Sequence, residues 1–337
     1  MTLITYPTRV HFADDVLQEA LHSELERSGC KAPLLVSEAS LLESEFADRI
    51  LSGLPVSSRP QQLTFSHHSD LRQAAKTAIE QPYIPDVIIA FGSARAIEVG
   101  RKCRYKLMQA HGKRPLLFAV PGVDGLPGPC TRNLETWRSG LPSVLICDPT
   151  VALGVETVQL WRSIILSLVR CIESYLAVAY NPTADGMALD ALIRCVSNFP
   201  KIDKNQELNL LRELMAASLN AALSQEKGVG PTLTLAAALA DPRAGIEEPE
   251  LAHAIFPSAI KFASLNGEKV ETLLKLMGAP DQSLEVALTR LMAPVPFSKN
   301  LSDLGVAPEI LDSIAHRVDG QAGLTNEMIH KVLDPIF

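Results

Sequence analysis

The chain has 337 residues, 47% of them hydrophobic and 20% charged, which is enough apolar matter for one or two well-formed cores. Its 31 basic and 38 acidic residues leave a net charge of −7, which excludes the basic footprint of a nucleic-acid-binding protein. Its 6 cysteines are scattered without a CxxC pair, and no uninterrupted apolar run reaches membrane length, so an acidic, cytoplasmic protein with buried free thiols is expected.

From residue 9 to residue 148 short apolar runs alternate with helical periodicity. Strands are predicted at 9–12, 33–36, 62–65, 86–91, 116–120 and 143–147, with amphipathic helices such as 14–28 and 70–81 between them. This alternation predicts a Rossmann-like α/β domain over residues 1–152, built around a mostly parallel sheet. His67 and His68 precede the 70–81 helix; two adjacent imidazoles without a third ligand make a poor metal site and are read as loop residues. Beyond Pro149 the periodic segments become helical, at 158–179, 184–197, 205–225, 231–239, 250–264, 268–277, 282–291 and 326–333. Breakers such as Asn181-Pro182, Pro200 and Pro294 divide them, and an all-α domain over residues 153–337 is predicted. Ligands of open α/β sheets sit at the carboxyl ends of the strands, so the site is expected in the cleft between the two halves.

Within the helical half, residues 160–182 combine a broad apolar face with a second stripe of Ser163, Ser167, Arg170 and Ser174. Arg170 is thus a single strong charge in the middle of a buried helix. The run LVRCIESYLAVAYNPTADGMALDALIRCVSNFPKI that contains it resembles the first long helix pair of the iron-containing alcohol dehydrogenases, and most of all their maleylacetate reductase branch. The resemblance implies a dehydroquinate synthase-like fold. It extends from TYPTRVHFADDVLQEAL near the start to SDLGVAPEILDSIAHRV near the end.

The functional motifs of that family are altered here. Its glycine-rich cofactor loop is answered by FGSARAIEVGRK, which keeps Gly92 and Ser93 but has Phe91 where a glycine is expected. Its second, threonine-rich loop is answered by Gly122, Val123 and Asp124 in a stretch with three prolines from Pro121 to Pro129, which offers few N–H donors. The metal-ligand positions of the family, as the resemblance implies them, read Leu166, Arg170, Thr234 (or its neighbour Leu233 or Leu235) and Glu248, the last placed by Pro257 in HAIFPSAIKF. One carboxylate among four such positions predicts no metal.

A repurposed enzyme of a small carbonyl, enol or polyene metabolite is therefore expected, catalysing dehydration, isomerisation or cyclisation, as in secondary metabolism, with no cofactor. Arg170, Glu248 and His253 are its expected catalytic groups, with Arg170 and Glu248 paired, and Phe91, Gly122, Val123, Asp124, Leu166, Ser167 and Thr234 line its pocket. Gly92 and Ser93 are the remnant of a nucleotide loop. The alternatives are a metal-independent NAD(P)H-dependent oxidoreductase of maleylacetate reductase type and a non-catalytic partner subunit. The expected partners are a small-molecule substrate and, in a homodimer, a second copy of the chain, with no nucleic acid and no membrane.

Overall fold

The computed structural model describes residues 8–66, 69–123, 125–126, 140–203, 207–262 and 267–337. His67, His68, Asp124, Cys130 and the Pro127–Pro129 part of the proline-rich loop lie outside the described residues.

Strand β4 (Val87–Gly92) sits inside a six-stranded sheet, with β2 (Pro33–Glu38) on one side and β5 (Leu116–Pro121) on the other. Outward from these lie β3 (Gln61–Phe65) beyond β2, then β6 (Val144–Cys147) and β1 (Arg9–Phe12) beyond β5. Every pairing is parallel, as the alternation of runs predicts. The order 1-6-5-4-2-3 changes direction between β2 and β4: β2 leads outward to β3, while β4 leads the other way to β5 and β6. A switch of this kind opens a crevice at the carboxyl ends of the two strands.

The period of two within β4 sends its side chains to opposite layers. Val87, Ile89 and Phe91 pack with Leu17 and Leu21 of α1 (Leu17–Ser28) and with Phe46 and Ile50 of α2 (Glu45–Ser52). Ile88 and Ala90 face α3 (Leu71–Lys76) and α4 (Ala94–His111) through Ala75, Ile97 and Cys103. At Gly100 the helix presses closely on the sheet, where an added Cβ would stand 2.8 Å from that of Ala90.

The helical half begins with α5 (Thr157–Leu176), whose residues from Leu160 to Ser174 are nearly all buried. Trp161 anchors it, its ring tilted at 60° to that of Phe199 with centroids 5.8 Å apart and its indole N–H donated to Asp203 at 3.0 Å. Asn181 starts α6 (Pro182–Asn198) by accepting from the Ala184 amide at 3.0 Å, with Pro182 at the first helical position, so the predicted breaker is a cap. There follow α7 (Leu208–Ser224), α8 (Pro231–Leu239), α9 (Glu248–Lys261), α10 (Gly267–Leu276), α11 (Leu284–Leu291), α12 (Leu311–Val318) and α13 (Asn326–Leu333). Met215 and Ala222 of α7 join the core on the α4 side of the sheet, so this helix belongs to both halves in packing. No described helix is long and apolar enough to cross a membrane.

Candidate active site

A cavity of about 1970 Å³ opens where the carboxyl ends of the strands face the helical half. That exceeds the roughly 300–1,000 Å³ of a usual small-ligand site and leaves room for two ligands side by side. Gly92, Ser93, Gly122, Val123, Leu166, Arg170, Thr234 and Glu248 all line it.

The sheet side is built from two turns. Gly92 ends β4 at φ +105, and an added Cβ there would stand 2.4 Å from Leu41 Cδ1, so glycine is required. Ser93 caps the 18-residue helix α4, which points its N-terminus into the crevice. The Ser93 hydroxyl also donates to Glu38 at the end of β2 at 2.5 Å. The second turn is tied to the first by the Gly122 amide, which donates to the Gly92 carbonyl at 2.7 Å.

The helical side grips the second turn. Ser163 donates to the Val123 carbonyl at 2.7 Å, and Arg170 Nη1 donates to the Leu126 carbonyl at 3.0 Å. Gly125, at φ +66, lies so near α7 that an added Cβ would meet Ser218 Oγ at 2.0 Å. Arg170 is 5% exposed, yet its side chain borders the cavity, so a guanidinium stands in a low-dielectric wall.

Glu248 opens α9, which also borders the cavity. Burial pushes its carboxyl above the ordinary carboxylate range; the field of Arg170 draws it back, and Glu247 beside it adds to the rise. The expected direct pair is corrected. Among the described residues Glu248 makes no ion pair; Arg170 gives Nη1 to the Leu126 carbonyl and reaches Glu248 through its field.

Three other expectations are corrected by placement. Phe91 is 2% exposed and faces away from the cavity, edge-on to Phe46 at 5.5 Å in the α1 and α2 layer, so it obstructs no phosphate. His253 is 1% exposed and lies against Phe297, with ring centroids 6.0 Å apart, away from the cavity lining; burial holds its imidazole below the ordinary range. Ser167 is fully buried and donates back to the Ser163 carbonyl at 2.8 Å, as a helix hydroxyl does when it has no other partner.

The sequence reading missed Glu38, Leu41, Arg72, Arg95 and Ala237, all of which line the cavity. The signal for Glu38 was present, since an acidic residue follows the apolar run of β2. The predicted strand stopped at residue 36, two short of it.

The donor set at the four ligand positions does not fit a divalent cation. Leu166 has no donor, Arg170 is cationic, and the Thr234 hydroxyl is already given to the Gly230 carbonyl at 2.8 Å. Only Glu248 offers an oxygen, and among the described residues no three His, Cys, Asp or Glu side chains gather into a metal site. A nicotinamide dinucleotide fits better: the helix N-terminus at Ser93, the turns at Gly92 and Gly122, and the cations Arg72 and Arg95 border one continuous space.

No family model matches the chain. It is 25% identical to 4-hydroxybutyrate dehydrogenase from Cupriavidus necator over an alignment covering 93% of this chain and 92% of that protein. The structure of sulfoacetaldehyde reductase from Bifidobacterium kashiwanohense in complex with NAD+ matches with a TM-score of 0.80 at 16% identity, covering 100% of this chain and 99% of the other. An iron-containing alcohol dehydrogenase from Corynebacterium glutamicum matches with a TM-score of 0.76 at 16% identity, covering 100% and 98%. The expectation of no cofactor is thereby corrected: these relatives are dehydrogenases and reductases, one of them holding NAD+ on this fold, and the side chain held to block such a ligand points elsewhere. The expected dehydration, isomerisation or cyclisation finds no support among them. The chain thus has the fold of an iron-containing alcohol dehydrogenase and is similar in sequence, over most of its length, to 4-hydroxybutyrate dehydrogenase.

Proposed function

We propose that the chain is a nicotinamide dinucleotide-dependent oxidoreductase that interconverts a small carbonyl compound and its alcohol. When bound, the dinucleotide supplies or accepts the hydride. Glu38 at the end of β2 accepts hydrogen bonds from a ribose, and the Ser93 end of α4 receives the pyrophosphate. Arg170 holds the substrate carbonyl oxygen and stabilises the negative charge that builds there during reduction. Glu248, as a carboxylic acid, gives that oxygen its proton and is reprotonated from solvent, so that aldehyde, hydride and proton become alcohol. The raised carboxyl of Glu248 suits the part, since an acid is useful only if it is protonated near the working pH.

The observation that carries this reading is the position of Arg170, a guanidinium 5% exposed in the wall of the switch-point cavity where relatives of this fold are expected to hold a metal. Its test has two parts. NADH or NADPH fluorescence should reveal a saturable complex, and aldehyde-dependent oxidation of the bound nucleotide should follow. Arg170→Ala should then lower turnover by about a hundredfold or more, the scale of one lost oxyanion donor, while leaving nucleotide affinity within a few-fold. Arg170→Lys should recover folding stability more fully than turnover, because it keeps the charge and loses the planar fork. Full activity in both variants, with the fold intact, would remove Arg170 from the chemistry.

A further inference from the structure

Among the cations on the helical wall of the cavity, Arg317 stands apart. Arg162 reaches Glu250 through two nitrogens at 2.6 and 3.1 Å, and the fully buried Lys227 ammonium holds Asp185 at 2.5 Å. Arg317, in the last turn of α12, is exposed on the cavity and makes no ion pair among the described residues. Its Nη2 donates to the Ala238 carbonyl in the last turn of α8, which fixes the guanidinium to the wall and leaves the other donors of its fork unspent.

The turn that follows α12 adds backbone donors. Gly320, Ala322 and Gly323 hold φ of +72, +50 and +76, a left-handed conformation that an alanine rarely adopts. Inside the turn the Gly320 amide donates to the Leu324 carbonyl, Gln321 to Val318 and Leu324 to Gln321. The successive amides of Ala322 and Gly323 have no acceptor among the described residues. Neighbouring amides in such backbone form a concavity that favours an anion, and Gly320, Gln321 and Ala322 border the same cavity as Arg317. Asp319, the acid nearest in sequence, accepts from the Asn326 amide at 3.0 Å.

We infer that Arg317 and the 320–323 turn bind a carboxylate at the end of the substrate that does not react. This rests on the oxidoreductase reading, which places the carbonyl end at Arg170. A planar fork and two amides supply charge-assisted donors on more than one side of a carboxylate. Glu247 and Glu248 disfavour an anion on the α9 part of the wall, which leaves α12 as the part that takes it.

The test gives the nucleotide-loaded enzyme a series of ω-oxo acids from glyoxylate to 6-oxohexanoate, each beside its methyl ester, so that charge is the main change within a pair. At the best chain length the acid should exceed its ester in kcat/KM by about tenfold or more, the scale of a hydrogen bond to a charged group. Arg317→Gln should bring that ratio to about one, and Arg317→Lys, which keeps the charge and loses the fork, should retain part of it. An acid no better than its ester at any length overturns the inference while leaving the oxidoreductase reading in place, and a preference that survives Arg317→Gln overturns it as well. A second measurement needs no turnover. By ligand-observed NMR, at least one of the half-amides of succinate, glutarate and adipate should bind, and Arg317→Gln should weaken it; no binding, or binding indifferent to Arg317→Gln, overturns the inference. Arg317-dependent binding of a half-amide without reduction of any aldehyde would keep the inference and remove the oxidoreductase reading.

Discussion

Glu173 is a carboxyl group buried on α5, 7% exposed, with one oxygen accepting from the Thr232 amide at 2.7 Å. Its other oxygen is buried without a hydrogen-bond partner, and Gly230 is a glycine because a Cβ there would stand 2.3 Å from the carboxyl. Burial lifts its pKa from 4.5 to about 7, against the opposing hydrogen bonds from Thr232 and Leu233. The folded pKa is the higher one, so the folded state binds more protons between those values. The stability that this proton confers is complete below pH 4.5 and is lost as pH rises through 7. A shift of this size corresponds to about 3 kcal/mol. Glu173→Gln keeps an acceptor for the Thr232 amide and has no charge to lose. Wild type and variant should therefore be close in stability at pH 4.5, and the variant should lead by about 3 kcal/mol at pH 8. At about 2.1 cal/mol/K per residue, unfolding this chain carries about 0.7 kcal/mol/K, so the lead should appear as about 4 °C in Tm. Scanning calorimetry of both proteins at matched pH cancels the titrations that they share. A Tm difference that does not change with pH, or a variant less stable at pH 8, would refute the argument.

Two further outcomes are expected. Because Glu38 ends β2 at the ribose side of the crevice and would oppose a 2′-phosphate, NADH should bind more tightly than NADPH, and Glu38→Ala should narrow the ratio of dissociation constants by about tenfold; equal affinities in the unaltered protein would contradict this. Asp148 is fully buried, and although burial opposes it, hydrogen bonds from Thr150, Leu17 and Asp15 hold its carboxyl below its ordinary value, with Arg49 at 2.7 Å. Its contribution is therefore present above pH 3.8 and lost as pH falls through the lower folded value, and Asp148→Ala, which leaves the Arg49 guanidinium without this partner, should cost about 3–5 kcal/mol in urea unfolding at pH 7.

The layered sheet was legible because each strand is a short apolar run with its own breakers, and the helical half because its periodicity is long. What could not be read was which strand lies beside which: β1 pairs with β6 although more than a hundred residues separate them, and nothing local encodes that choice. Two site errors were avoidable from geometry alone. Phe91 follows Val87 and Ile89 at a period of two, so it shares their face and not that of Ala90. His253 lies five residues beyond Glu248 on one helix, about 140° around its axis, so both cannot face one cavity. Glu38 was lost for a different reason, since a strand end two residues out of place is enough to hide a cavity-lining side chain.

Helix α7 gives the molecule a mechanical property. With Met215 and Ala222 seated in the sheet's own core and Ser218 pressed against Gly125, the helical half is keyed into the strand layer as a tenon is into a mortise. A wide hinge opening between the halves would expose that shared core, so traffic through the cavity should rely on the surface turns, and the central strands and α7 should exchange their amide hydrogens as one cooperative unit.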